Sequence, residues 1–190
     1  MKRSFFWITI LFLPCLGLCA KDWVQTSPTG KIVIKNITET PVIEAEVKDL
    51  SENEIQKSFR LASRYLALAK APIRYPIVLI FPGWNPSPES PKPKKIYLQM
   101  VLSSYTILPD PKEKGLRLST LNGGSVLAVS RRGDYHSEEW LQDLQLLIQH
   151  LGEINLPSVG HPQRMLFHNT TLSLPFWRLS EVQISIPTLN

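Results

Sequence analysis

The side chains that could do chemistry are few: four histidines, two cysteines, 21 Lys+Arg and 16 Asp+Glu. His136, His150, His161 and His168 never stand three or four residues apart, so no His-x-x-x-His metal face can form on a helix. Cys15 and Cys19 both fall in the first twenty residues. The body beyond them has no thiol, which excludes a disulfide framework, a Cys-ligated zinc site, an iron–sulfur cluster and a Cys nucleophile. No Gly-rich phosphate loop, nucleophile elbow or carboxylate pair at catalytic spacing occurs, so the expectation is a binding module and not an enzyme. Arg132-Gly133-Asp134 spells the integrin-type tripeptide, in a place where a Gly turn is expected anyway. Asn36-Ile37-Thr38 and Asn169-Thr170-Thr171 are glycosylation sequons in form.

What must position these residues is a chain of 190 residues with 43 % hydrophobic and 19 % charged side chains, ordinary globular composition for one domain. Met1-Lys2-Arg3, an apolar run from Phe5 to Leu13, Pro14 and the small stretch Cys15 to Ala20 follow the order of a secretory signal, 1–19. The run is too short for a membrane span of about 20 residues. Leu16-Gly17-Leu18-Cys19 also has the form of a bacterial lipobox, which would lipidate Cys19 and anchor an exported chain to the cell envelope. Without Lys2 and Arg3 the balance is 19 basic to 16 acidic residues, a small excess that argues against a nucleic-acid partner.

The body, 20–190, divides into two halves of similar order. Ile32 to Ile34 and Val42 to Val47 suggest two strands. Ser51 and Glu54 form a capping box that opens a helix to Ala69, with Ile55, Phe59, Ala62 and Leu66 on one stripe. Ile77 to Phe81 and Ile96 to Leu102 are strand candidates, separated by an exposed loop with five prolines between Pro82 and Pro93. In the second half Asn122-Gly123-Gly124 signals a hairpin between Leu116–Leu118 and Val126–Val129. Ser137 caps a helix with Trp140, Leu144, Leu147, Ile148 and Leu151 on one stripe, ended by Gly152, and with His150 where a cation suits the dipole. Met165–Phe167 and Val182–Ile186 are the last strands. The fold class is α+β: duplicated ββαββ halves forming a curved, mostly antiparallel sheet or distorted barrel with two helices.

Four segments in this order resemble the SOUL haem-binding family over Lys31 to Ile186. They are Ile32–Lys35 with Val42–Val47, the helix stretch Phe59–Leu66, Tyr97–Ser104 with Leu108-Pro109-Asp110-Pro111, and Phe167-His168-Asn169 with Leu174–Val182. The chain departs from the family where Asn169-Thr170-Thr171 replaces an Asn-Pro-Pro and Arg178-Leu179-Ser180-Glu181 replaces an Arg-Arg-Asn-Glu.

The resemblance implies an exported domain that holds haem, another tetrapyrrole or a comparable planar apolar molecule non-covalently in a cleft beside the first helix. It implies Arg64 as a propionate partner, a second basic contact near Leu174 or Arg178, and Phe59, Tyr65, Met100 and Trp177 along the slot. His168 is the one histidine placed to act as an axial ligand. Two alternatives remain open. One is an envelope lipoprotein that kept the fold for partner contact. The other is a small-molecule effector module of the similar GyrI-like architecture, in which an acidic residue in the central cleft receives a cation and Glu181 is the candidate. A buried Glu181 beneath an open cleft favours the last, whereas a cleft closed by side chains favours the partner-contact reading.

Overall fold

The computed structural model describes residues 29–85, 90, 92–103, 107–133, 137–167 and 178–188. The proposed signal with Cys15 and Cys19, His136, His168, Leu174, Trp177, Asp134 and the second sequon lie outside them. Among the described residues no helix is long and apolar enough to cross a membrane. The elements in chain order are β1 (Ile32–Ile37), β2 (Thr40–Val47), α1 (Glu52–Leu68), β3 (Arg74–Ile80) and β4 (Ile96–Val101), then β5 (Leu116–Leu121), β6 (Gly124–Arg132), α2 (Ser137–Glu153), β7 (Gln163–Leu166) and β8 (Leu179–Ser185).

The helices form where local sequence expects them. Ser51 is extended and its Oγ accepts from the Glu54 N–H at 3.4 Å, while Asp49 Oδ1 accepts from the Ser51 N–H at 2.8 Å. Ala62, Tyr65 and Leu66 form the buried stripe of α1, and Trp140, Leu144, Leu147 and Leu151 that of α2. The left-handed turn that closes α2 is not at Gly152, which stays in the last helical turn. It is taken by Asn155 at φ 53°, and Leu156 N–H returns to Leu151 O at 3.0 Å. α1 closes identically through Lys70 at φ 54° and Ala71 N–H to Leu66 O.

All strands pair antiparallel in one eight-stranded sheet, in the order β1-β6-β8-β7-β3-β4-β2-β5. β1 and β2 are joined by only two residues yet stand at positions one and seven. In a flat sheet they would be about 29 Å apart at the usual strand spacing. The link from Ile37 to Thr40 can reach about 11 Å. The sheet must therefore curl until its two ends meet, and it does so without closing into a barrel.

The meeting point is a corner where the β1–β2 link crosses the β5–β6 link. Ile37 pairs with Gly124 and Thr40 with Leu121, so the two links exchange partners. This corrects the hairpin expected at Asn122-Gly123-Gly124: β5 pairs with β2 and β6 with β1 and β8, never with each other. Gly123 is required because the links touch. A Cβ there would lie 2.6 Å from Glu39 N and 3.1 Å from Ile37 O.

Both helices cover one face of the sheet, packing on Ile43, Ala45, Leu79, Leu98, Leu127, Val129, Val182 and Ile184. The start of the proline-rich loop is tied into this side at Trp84, while Gly83, Asn85 and Lys92 of the same loop are exposed. Trp84 is buried, its Nε1 donates to Ser90 O at 2.9 Å, and its ring meets Phe81 and Trp140. Phe81 stacks on Trp140 with centroids 4.8 Å apart. Arg131 on β6 pins α2 through a bidentate pair with the buried Asp143, at 2.7 to 2.9 Å.

Candidate functional site

Among the described residues no helix packs on the other face, yet it is buried. Strand register lines up Ser130, Glu181, Met165, Val78, Gln99, Glu44 and Arg117 across seven successive strands on that face. In the next row stand Val33, Ala128, Gln183, Gln163, Ile80, Tyr97 and Glu46. Val78 and Met165 at the centre are wholly buried, and so are the polar Glu44, Gln99, Gln163, Glu181 and Gln183. Val33, Ile80 and Tyr97 are half-buried beside them.

One contact shows why. Lys35 Nζ on β1 pairs with Glu181 on β8, two strands across and four residues along. In a flat sheet their Cα atoms would be about 16 Å apart, beyond the summed reach of the two side chains. The side chains converge because this face is the concave one. Curling draws the polar groups of this face toward one another.

Two polar clusters sit on the face, about 19 Å apart along the row by strand spacing. In the first, Glu44 is 2 % exposed and each carboxylate oxygen is engaged: Oε2 accepts from Gln99 Nε2 at 2.8 Å and Oε1 from Arg117 Nε at 2.6 Å. Arg117 Nη2 lies 2.5 Å from the same oxygen, and its guanidinium is 5.0 Å from the Tyr97 ring centroid. Gln99 Oε1 is buried with no hydrogen-bond partner among the described residues. In the second, the Glu181 carboxylate accepts from Lys35 and from Gln183 Nε2. Gln183 in turn accepts from Gln163 Nε2 at 2.9 Å and approaches Met165 Sδ at 3.3 Å.

The described residues that the resemblance places along a haem slot lie on the other, helix-covered face of the sheet, around α1. Met100 is wholly buried on the helix-facing side of β4, and Tyr65 is buried on α1 with its hydroxyl donating to Pro109 O. Burial pushes the Tyr65 phenol above its ordinary pKa, and the Asp110 and Glu113 carboxylates push the same way. Phe59 is half-buried against the same core. These three come together, as packing between α1 and the sheet. Arg64 is exposed on α1. Arg178 is half-buried just before β8, and its carbonyl accepts from Gly133 N–H at 3.0 Å. His161 Nδ1 accepts from Gly83 N–H at 3.1 Å, and His150 lies 3.4 Å from Glu153. No group of three or more metal-ligating side chains occurs among the described residues.

No protein-family model and no curated protein sequence matches the chain. Solved structures do. The C-terminal domain of EcmrR superposes with a TM-score of 0.65 at 12 % identity, over 84 % of this chain and 98 % of that one. The chain therefore shares the α+β fold of that domain. EcmrR in its DNA complex gives 0.67 at 11 % identity, the match spanning 84 % of this chain and 58 % of that one. Two hydrolases from Listeria innocua give 0.59 and 0.57 at 10 % and 12 % identity, each over 84 % of this chain and 93 % of the other.

The α+β architecture expected from the sequence is thus found in this chain. Two expectations need correction. The exclusion of enzymatic activity is overturned, because hydrolases share this architecture and the motifs searched for in the sequence belong to other folds. The exclusion of nucleic acid does not stand either. It rested on net charge, which averages over the whole surface, and EcmrR is seen with DNA. Of the concave-face residues, only Glu181 was singled out from sequence. Lys35, Glu44, Gln99, Arg117, Gln163 and Gln183 carried a faint signal, as polar residues alternating with apolar ones in strands, which is also how a solvated face looks.

Proposed function

We propose that the chain binds a small organic molecule on the concave face of its sheet, in the manner of a GyrI-like effector-binding module. The observation that supports this reading most is the set of five buried polar side chains, Glu44, Gln99, Gln163, Glu181 and Gln183, interleaved with Val78 and Met165 on the face where neither described helix packs. A few placed polar groups within an apolar lining is the chemistry of a ligand site and an expensive way to build a core. The haem-specific form of the resemblance places its ligand beside α1, with Arg64 on a propionate. The two readings differ in which face they use.

Titration with haemin and with uncharged polycyclic aromatics, followed by absorbance and fluorescence, tests both on the variants Tyr97→Ala and Arg64→Glu. Saturable binding weakened by Tyr97→Ala and indifferent to Arg64→Glu supports the concave face. The reverse pattern, seen with haemin, supports a SOUL-type site on α1. Linear, unsaturable uptake in every case rejects both.

A further inference from the structure

The concave face holds two carboxylates, Glu44 and Glu181, and neither is left to attract a cation from outside. Arg117 meets Glu44 with Nε and Nη2. Lys35 is the more telling case. It stands on an edge strand, where its ammonium could extend into water, and its side chain is nonetheless only 14 % exposed because it reaches across the concave face to Glu181. What the face lacks is a donor. Gln99 is 2 % exposed, and its Nε2 is committed to Glu44, which Arg117 holds in place. Rotating the amide would set its oxygen against the carboxylate, so its orientation is fixed. Gln99 Oε1 is then the buried acceptor with no hydrogen-bond partner among the described residues, opposite Val78 in the register.

We propose that Lys35 is a tethered occupant of the Glu181 carboxylate, so that the concave face selects uncharged ligands carrying an N–H or O–H donor for Gln99 Oε1 and discriminates against organic cations. Arg117 and Glu44 act as positioning residues that aim this acceptor. A ligand enters beside the half-buried Ile80 and Tyr97, and its donor meets Gln99 Oε1. The inference rests on the binding reading given above and names the ligand class that site would take.

Three dyes of nearly one shape test it by fluorescence titration of the full chain: acridone, uncharged with an N–H; N-methylacridone, uncharged without it; and N-methylacridinium, a cation. Wild type should bind acridone about tenfold more tightly than either of the others, the scale of one hydrogen bond to a buried acceptor. Gln99→Met should level acridone with N-methylacridone. Lys35→Met should raise affinity for N-methylacridinium by about tenfold, and adding Glu181→Gln should cancel that rise. Wild-type binding of the cation as tight as that of acridone overturns the proposal while leaving the binding site intact, and it needs no variant to be seen. A Lys35→Met chain that folds, by circular dichroism, and gains no cation affinity also overturns it. If none of the dyes binds wild type or variants, the binding reading itself fails, and the ligand class falls with it.

Discussion

The crossing of the β1–β2 and β5–β6 links makes Gly123→Ala a sharp test of the curled sheet. An added Cβ would sit 2.6 Å from Glu39 N and 3.2 Å from Glu39 Cα, all backbone atoms that no rotamer change can clear. Restoring ordinary contact needs a shift of about 1 Å in a link held by paired strands on both sides, which places the cost in the overpacking range of about 1–3 kcal/mol. Part is offset, because alanine stiffens the unfolded chain by about 0.4–1 kcal/mol. The net cost is about 0–2.6 kcal/mol, and in a domain of this size each kcal/mol moves the melting temperature by about 2–4 °C, so the expected drop is up to about 10 °C. Gly152→Ala supplies the opposite sign. That glycine lies in the last turn of α2 with nothing within 4 Å of its added Cβ, and the variant should gain about 0.5–1 kcal/mol. Thermal melts and urea titrations of both variants read the pair. A Gly123→Ala chain that gains stability as Gly152→Ala does would mean that the links do not touch, and the argument for a concave face would lose its anchor.

Other consequences are open to similar measurement. Arg117→Ala leaves the buried Glu44 carboxylate with Gln99 alone; since Arg117 is itself 61 % exposed, water can reach the gap, and the loss should be about 1–3 kcal/mol in urea titrations. Trp140→Ala removes the ring that stacks on Phe81 and meets Trp84, and should cost about 3–5 kcal/mol, with the proline-rich loop losing protection from proteolysis. Tyr65→Phe should cost about 1 kcal/mol near neutral pH for the bond to Pro109 O. The fold raises the Tyr65 pKa, so the stability this phenol contributes is complete below the ordinary tyrosine value of about 10 and is lost as pH climbs toward the raised one. The wild-type urea midpoint should therefore fall toward that of Tyr65→Phe above about pH 10 and keep a constant distance from it below.

How much of this was legible in the chain differs from element to element. Ser51 with Glu54, and the stripe from Trp140 to Leu151, announce their helices because capping and 3.6-residue periodicity are local. The alternation in Ile96-Tyr97-Leu98-Gln99-Met100 announces a strand for the same reason. What local pattern cannot carry is which strand a neighbour pairs with. Asn122-Gly123-Gly124 has the composition of a hairpin turn, yet it serves a link whose strands part, and the reason lies in Glu39, some eighty residues earlier. The same limit hid the candidate site. Glu44, Gln99 and Gln183 alternate with apolar residues as they would on a wet surface, and only the curvature of the whole sheet makes them an interior.

The exchanged partners of β1 and β5 also govern how such a chain can come into being. β1 pairs only with β6, and Ile37 must wait for Gly124. β2 is flanked by β4 and β5, and the two halves join where β3 meets β7. Neither ββαββ half is a foldable unit, since each has lent its first strand to the other. Pairings this distant in sequence make for slow folding. A chain emerging from the ribosome holds β1 unpaired through nearly a hundred residues of synthesis, and a fragment ending before β6 has an open edge. The two halves depend on each other through β1 with β6 and β2 with β5, so a fragment holding one half would leave a strand without its partner.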